Sequence, residues 1–225
     1  MTIEYLTAAP RFRGWVPPGV YRPQTDTGLL SRAMRRECIT SRTEVLDLGT
    51  GSGVLAVEAA RMGARVTAVD ISWRALAAAW CNALLNGQLV RVRHGDLTYA
   101  VPGRRFDLVV TNPPYVPAPG GAPPRGRARA WDAGTDGRLL IDRICTAAPA
   151  ILRPAGALLM VHSHLSGVEE TLARFRAAGL RTEIVDAARL PFGRVLRSRL
   201  AWLRERGLVA DRTTEELVVI RAEHA

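Results

Sequence analysis

Thr43-Glu44-Val45-Leu46-Asp47-Leu48-Gly49-Thr50-Gly51-Ser52-Gly53 is a short apolar run that stops in a glycine-rich turn. The residues behind it, Val54-Leu55-Ala56-Val57-Glu58-Ala59-Ala60-Arg61-Met62, are rich in helix formers. A strand, a glycine turn and a helix in that order let a backbone come close to whatever the turn faces, because glycine carries no Cβ. Arg65-Val66-Thr67-Ala68-Val69 then reads as a second strand, ending in Asp70. Outward from here, apolar runs of strand length alternate with runs of helix length. Strands are predicted near 44–48, 65–69, 90–93, 106–111, 156–162, 181–186 and 216–222, and helices near 26–38, 53–62, 73–86, 137–150 and 166–178. Pro154-Ala155-Gly156 marks the turn into the fifth strand. Such alternation gives an α/β fold, a mostly parallel seven-stranded sheet with helices on both faces. At 225 residues with 48% hydrophobic content, one domain with a substantial core is expected.

Acids stand at the predicted strand ends. Asp70, roughly 20 residues beyond the glycines, is placed to grip two ribose hydroxyls. A nicotinamide dinucleotide fits the same outline, and a plain tight turn is the bland alternative. Two details favour a different nucleotide-like ligand. Asp47 precedes the glycines where it can meet a cationic amino group, such as that of a methionine moiety, and the spacing is G-x-G-x-G instead of G-x-G-x-x-G. Val90-Arg91-Val92-Arg93-His94-Gly95-Asp96-Leu97 reads as a third strand running into a loop. Asp96 could simply cap that loop. Its place in the series Asp47, Asp70, Asp96, Asn112 points instead to a site outside the carboxyl ends of an open sheet. There Asp96 can accept from an adenine amino group, while Leu97 offers backbone and an apolar edge.

The fourth member of that series opens Asn112-Pro113-Pro114-Tyr115, directly after the apolar run Phe106-Asp107-Leu108-Val109-Val110-Thr111. The Asn112 side-chain oxygen and the Pro113 carbonyl can each accept one hydrogen of a planar –NH2 group. Proline donates nothing that competes, and its fixed φ stiffens the turn. The Tyr115 ring can lie against the flat face of an amide or a base. The tetrapeptide does not separate an amide from the exocyclic amine of adenine, and a non-catalytic cofactor-binding adaptor is a third alternative.

These stretches together resemble the class I S-adenosylmethionine-dependent methyltransferases, Rossmann-like enzymes, and within them the HemK/PrmC type that methylates protein glutamine. The matching motifs are Leu46 to Gly53, Asp70, Gly95-Asp96 and Asn112-Pro113-Pro114-Tyr115-Val116-Pro117. Val20-Tyr21-Arg22-Pro23-Gln24-Thr25-Asp26-Thr27 and Ala130-Trp131-Asp132-Ala133-Gly134-Thr135-Asp136-Gly137-Arg138 resemble segments of the short, eukaryotic and archaeal-like members. The resemblance implies S-adenosyl-L-methionine as cofactor and S-adenosyl-L-homocysteine as product. It implies cofactor contacts from Tyr21, Thr27, Asp47, Gly49, Gly51, Asp70, Asp96, Leu97 and Asn112. Asn112, Pro113 and Tyr115 would hold the substrate amide, with a peptide chain release factor as the expected kind of substrate. A small activator subunit accompanies some short members. By the same resemblance residues 1–42 would form an N-terminal segment and helix covering the cofactor, and 43–225 the methyltransferase domain. About forty residues precede the first strand, in place of a docking domain of helices.

Composition limits the remainder. No stretch reaches membrane-spanning length and no signal peptide opens the chain, so a cytoplasmic protein is expected. Cys38, Cys81 and Cys145 lack metal-ligand spacing; Cys81 and Cys145 fall on helix faces expected to be buried, as free thiols. No metal site is expected. His162 and His164 alternate at a predicted strand end and so would point to opposite faces. The net charge is +10, and every basic residue besides histidine is arginine. Such an excess suits anionic partners, including nucleic acid near a ribosome-associated substrate. Arg194, Arg197, Arg199, Arg204 and Arg206, interleaved with apolar residues, predict one amphipathic basic helix over 191–208. The Pro- and Gly-rich stretch from Pro117 to Gly126 reads as a mobile loop able to close over a substrate.

Overall fold

The computed structural model describes residues 14–120, 124 and 126–224. Among them the strands are β1 Glu44–Leu48, β2 Arg65–Asp70, β3 Val90–His94, β4 Phe106–Thr111, β5 Leu152–Ser163, β6 Leu180–Pro191 and β7 Thr214–His224. The helices are α1 Thr25–Met34, α2 Val54–Arg61, α3 Trp73–Leu85, α4 Ile141–Ile151, α5 Val168–Ala177, α6 Arg194–Ser198 and α7 Leu200–Glu205. The strands form one sheet in the order β3-β2-β1-β4-β5-β7-β6. β1 to β5 pair in parallel, and β7 runs antiparallel between β5 and β6. The mostly parallel α/β sheet is the one expected.

Strand order reverses between β1 and β4. The chain leaves β1 toward β2 and β3, then returns to add β4 on the other side of β1. At that switch point adjacent connections diverge and leave a crevice at the carboxyl ends. Leu48 is level with Thr111, so the glycine turn and the Asn-Pro-Pro-Tyr turn leave the sheet side by side. The Thr111 hydroxyl donates to the Leu48 carbonyl at 2.9 Å and ties the two tips together.

The period of two along each strand feeds two cores. Leu46, Leu48, Val109, Leu158 and Met160 face Ile141, Ile144, Val168 and Phe175 of α4 and α5. Val45, Leu108, Val110, Leu159 and Val161 face Leu29, Leu30, Leu55 and Ala56 of α1 and α2. Each fully buried Leu, Ile or Phe contributes about 1.5–3 kcal/mol of transfer free energy. The sheet is thus anchored on both faces, and its strand ends are free to serve as a rigid rim.

Several elements differ from the sequence reading. β5 begins at Leu152, and Pro154-Ala155-Gly156 is absorbed into an irregularity of that strand: Phe106 pairs Leu152 while Leu108 pairs Ala157. α1 stops at Met34, four residues early, and α4 starts only at Ile141 because 137–140 serve as turn. The single basic helix is two short helices that meet at Arg199, whose φ of −111° and ψ of 5° leave the helical region. Their apolar residues Leu196 and Leu203 fold inward onto Leu165, Phe192 and Val209, which one straight helix could not achieve. Cys81 is only half-buried, whereas Cys145 is buried; Cys38 is exposed, and all three are free thiols. His162 is buried in β5, but His164 lies in a 3-10 turn after the strand, so strand alternation does not relate them. Within the Pro117–Gly126 loop, residues 121–123 and Arg125 lie outside the described residues. No helix among the described residues is long and apolar enough to cross a membrane.

Candidate active site

Glycine conformation builds the first half of the site. Gly49, Gly51 and Gly53 have φ of 73°, 55° and 81°, which side-chain-bearing residues rarely adopt. At Gly53 there is a second reason: a Cβ would lie 2.7 Å from Ala79 Cα, so this glycine lets α2 start against α3. The turn thereby curls its N–H groups toward the strand tips. Gly51 N–H donates to Asp70 Oδ2 at 3.0 Å, and Ser72 N–H donates to Asp70 Oδ1 at 2.8 Å.

Asp47 is fully buried. Its Oδ2 accepts from the Thr50 hydroxyl at 2.6 Å and from Ala56 N–H at 3.1 Å. Its Oδ1 is buried with no hydrogen-bond partner among the described residues. Burial pushes the carboxyl up to about 7 against the two hydrogen bonds, which pull it down. Asp70 is also raised, by burial first, with its backbone N–H bonds opposing. Beside it the Trp73 and His94 rings stack at 4.0 Å, almost parallel.

Asp96 follows β3, and Arg143 of α4 donates to its Oδ2 at 2.7 Å. Leu97 comes next with φ of 50°, a left-handed residue at the head of a 3-10 turn. A cleft of ≈ 330 Å³ opens alongside, lined in part by Leu97, Tyr99 and Arg143. A larger hollow of ≈ 480 Å³ lies at the opposite ends of the strands, near Glu44, Arg65 and Arg91, away from every acid just described.

The second half of the site is the turn after β4. Asn112 donates through Nδ2 to the Thr27 hydroxyl oxygen at 3.4 Å. Among the described residues no N–H donates to the Pro113 carbonyl. Gly134 and Trp131 brace the turn from outside: Val116 N–H donates to the Trp131 carbonyl at 2.9 Å, and Ala118 N–H to the Gly134 carbonyl at 2.8 Å. The Ser166 hydroxyl donates to the Tyr115 carbonyl at 2.6 Å. Arg138, 4% exposed, holds Ser166 in place by donating to its carbonyl at 2.5 Å, and pairs with Asp142 at 2.6 Å.

Asp26 joins the two halves. Its carboxylate accepts from Tyr21 Oη at 2.5 Å, Tyr115 Oη at 3.1 Å, Thr27 Oγ1 at 3.2 Å and Thr27 N–H at 2.6 Å. Burial, reinforced by Asp26, raises both phenols and keeps them protonated donors. Glu215 of β7 stands nearby; burial pushes it up to about 7, with the Ser163 hydrogen bond opposing, and its Oε2 is buried with no hydrogen-bond partner among the described residues. His162 is pressed down to about 4 by burial and is neutral.

The structure therefore brings Tyr21, Thr27, Asn112, Pro113 and Tyr115 into one cluster, with Gly49, Gly51, Asp47 and Asp70 beside it across the β1–β4 crevice. Asp96 and Leu97 sit two strands away, beyond β2. Asp26 is a site residue the sequence alone does not single out, although it lies within the Tyr21–Thr27 stretch; an acid directly before a threonine in a helix first turn is its signal. Glu215, Ser166 and Arg143 gave no local signal, since only tertiary folding brings them in.

Comparison with known proteins agrees with this architecture. The methyltransferase small domain family matches residues 17–120. A putative protein N5-glutamine methyltransferase of Methanocaldococcus jannaschii is 32% identical over 177 residues, 78% of this chain and 88% of its own length. A release factor glutamine methyltransferase of Bordetella pertussis is 40% identical over 192 residues, 80% of this chain and 70% of the relative. The chain belongs to the protein-glutamine methyltransferase family. Like its family it is an S-adenosylmethionine-dependent methyltransferase. The methyltransferase of the E. cuniculi Mtq2–Trm112 complex, responsible for methylating the termination factor eRF1, superposes with a TM-score of 0.64 at 26% identity. It covers 92% of this chain and 99% of that one. A T. thermophilus 16S rRNA methyltransferase in complex with AdoMet and guanosine shares the fold, at 23% identity, 91% of this chain, 44% of that one and a TM-score of 0.57.

Proposed function

We propose that this methyltransferase modifies the side-chain amide nitrogen of a glutamine in a protein of the translation machinery, a peptide chain release factor first among them. The observation that carries this reading is the pair of acceptors at the end of β4, Asn112 Oδ1 and the Pro113 carbonyl, beside the strand-tip acids. The relatives' names supply the substrate class.

The residues present fit the cofactor. The partnerless Asp47 Oδ1 suits the cationic amino end of the methionine moiety. Asp70, already gathered by Gly51 and Ser72, would take the ribose hydroxyls, while Asp96 and Leu97 would meet the adenine. Tyr21 and Thr27 would close the site from the N-terminal segment, the described part of the 1–42 cover over the 43–225 methyltransferase domain; residues 1–13 and 225 lie outside the described residues. Bound there, the cofactor supplies an electrophilic methyl group.

An amide nitrogen is a poor nucleophile because its lone pair is delocalised into its carbonyl. Two acceptors on its hydrogens orient it and stabilise positive charge growing on nitrogen. Orientation alone supplies up to about 7–11 kcal/mol in the best intramolecular models. Tyr115 would pack on the amide face. No strong base is needed before transfer, since the proton leaves afterwards.

The finer partners belong to the same proposal. An activator subunit has a surface to occupy: Trp73, Trp80, Leu84, Leu85 and Leu89 expose an apolar strip along α3 and the β3 edge of the sheet. A ribosome-bound or RNA-bound form of the substrate suits the cap formed by α6 and α7, since residues 189–212 hold seven arginines against Glu205 and Asp211. Arg199 fixes this cap beside the site by donating to the Pro117 carbonyl at 3.0 Å and pairing with Asp132 at 2.6 Å. A translation substrate would go with a cytoplasmic location, as part of the same proposal.

The test is incubation with labelled cofactor and purified release factors bearing a Gly-Gly-Gln tip, alongside cell extract split between protease and nuclease. Label lost to protease, and absent with Asn112→Ala while cofactor still binds, is the expected result. Label lost to nuclease overturns glutamine in favour of a base amine.

A further inference from the structure

We infer that Asp26 is a positioning residue which, through Thr27, fixes the Asn112 side chain so that its oxygen and not its –NH2 faces the substrate. The inference rests on the glutamine reading only in needing a substrate that presents an –NH2 group.

Asp26 is 2% exposed and sits in the first turn of α1, where the helix N-terminus favours a negative group. A carboxylate only accepts. The contact of 3.2 Å between Thr27 Oγ1 and Asp26 Oδ1 therefore consumes the single hydroxyl hydrogen of Thr27. Thr27 Oγ1 has only lone pairs left for Asn112. At 3.4 Å the group facing it must be the donor, Nδ2. Asn112 Oδ1 then points the other way, toward the substrate side.

Reversing one link shows what the chain prevents. With an amide at 26 a single oxygen is left for donors that two oxygens now serve; when it turns to Tyr21 and Tyr115, the Thr27 hydroxyl is free to turn toward Asn112, and the Asn112 amide can rotate by half a turn. Its –NH2 would then confront the substrate's own –NH2, donor against donor, and the clamp would hold one hydrogen instead of two. The second oxygen of Asp26 adds a constraint on the same turn: Tyr115 Oη donates to it at 3.1 Å and Tyr21 Oη at 2.5 Å. One buried carboxylate thus sets both the polarity of Asn112 and the lean of Tyr115.

The experiment compares Thr27→Val, Thr27→Ser and Asp26→Asn with the wild type, reading kcat, KM, cofactor affinity and melting temperature. Valine matches threonine in shape and lacks the hydroxyl; serine keeps it. Thr27→Val should lower kcat about 100-fold, the scale of losing one aligned partner of the reacting group, and Asp26→Asn should lower it less, since its one oxygen is shared between Thr27 and the tyrosines. KM should move less than kcat, and Thr27→Ser should restore most of the loss. A packing role predicts the opposite ranking, since serine loses the methyl group that valine keeps. Retention of kcat within a few-fold by Thr27→Val, or failure of Thr27→Ser to rescue, overturns the inference even if Asp26→Asn proves too unstable to assay. If the wild type labels nucleic acid instead of protein, the glutamine reading falls alone. The same variants are then scored on that substrate, because a base amine presents the same two hydrogens.

Discussion

Cofactor affinity should depend on pH through Asp47. In the cofactor-free protein burial lifts this carboxyl from the usual 3.8 to about 7. A folded pKa above the unfolded one means that the fold favours the neutral acid. Its contribution to stability is complete below the unfolded value and is lost as pH rises through about 7, a change on the order of 4 kcal/mol. A cationic amino group placed at the partnerless Oδ1 reverses the preference and demands the carboxylate. Binding then expels about one proton at any pH between those limits. The apparent dissociation constant should rise about tenfold at pH 6 and about a hundredfold at pH 5 relative to the plateau above pH 7. Asp70, raised in the same direction, steepens the trend. Calorimetry from pH 5 to 7.5, in two buffers of different ionisation enthalpy, measures both the affinity and the proton released. Asp47→Asn should bind weakly with a much shallower slope. Glu215→Gln, which removes the other carboxyl near 7, should leave the wild-type slope intact. An affinity that is flat from pH 5.5 to 7 in the wild type, with no proton release, refutes the assignment of Asp47 to the cofactor's amino group.

Gly137→Ala should cut kcat and stability together by about 1–3 kcal/mol each, because φ there is +76° and a Cβ would run into the Tyr115 carbonyl and come within 2.6 Å of Ser166 Oγ; steady-state kinetics with thermal unfolding checks it. Arg138→Met should cost about 2–4 kcal/mol, since it takes the donor from the buried Ser166 carbonyl and leaves Asp142 with Arg174 alone, at 3.2 Å. That corresponds to a melting temperature lower by about 10 °C in scanning calorimetry. Gly53→Ala should destabilise by about 1–3 kcal/mol in chemical denaturation and weaken cofactor binding, because the start of α2 must move off Ala79.

The sequence made the sheet legible because its strands bury both faces: runs such as Val45-Leu46 and Leu108-Val109-Val110 have no plausible reading as surface. The strand-tip acids were legible for a related reason, since a charged residue ending such a run needs a partner. What stayed hidden depends on distant segments. Glu215 stands near Asp26 although 189 residues separate them, and no pattern around Glu215 announces it. The split at Arg199 was hidden because period alone cannot show that Leu196 and Leu203 fold onto one small core from two directions. β6 was cut short at 186 because the polar alternation of an edge strand resembles a loop; it continues to Pro191 by pairing with β7.

The length of the antiparallel pair has a consequence for what can reach the active site. Thr111, the residue before Asn112, is level with Met160 and through it with Ile220. From Ile220, β7 continues to Thr214, paired all the way with β6, which adds roughly 20 Å of strand past the rim of the parallel half. Asn112 therefore sits at the foot of a parapet on this flank, with the α6–α7 cap pinned by Arg199 close by. A broad, flat partner meeting that parapet is held off and tilted; a narrow projecting tip can pass along it to the floor. The expected consequence is selection of a target by how far a residue protrudes, before any chemistry tests what that residue is.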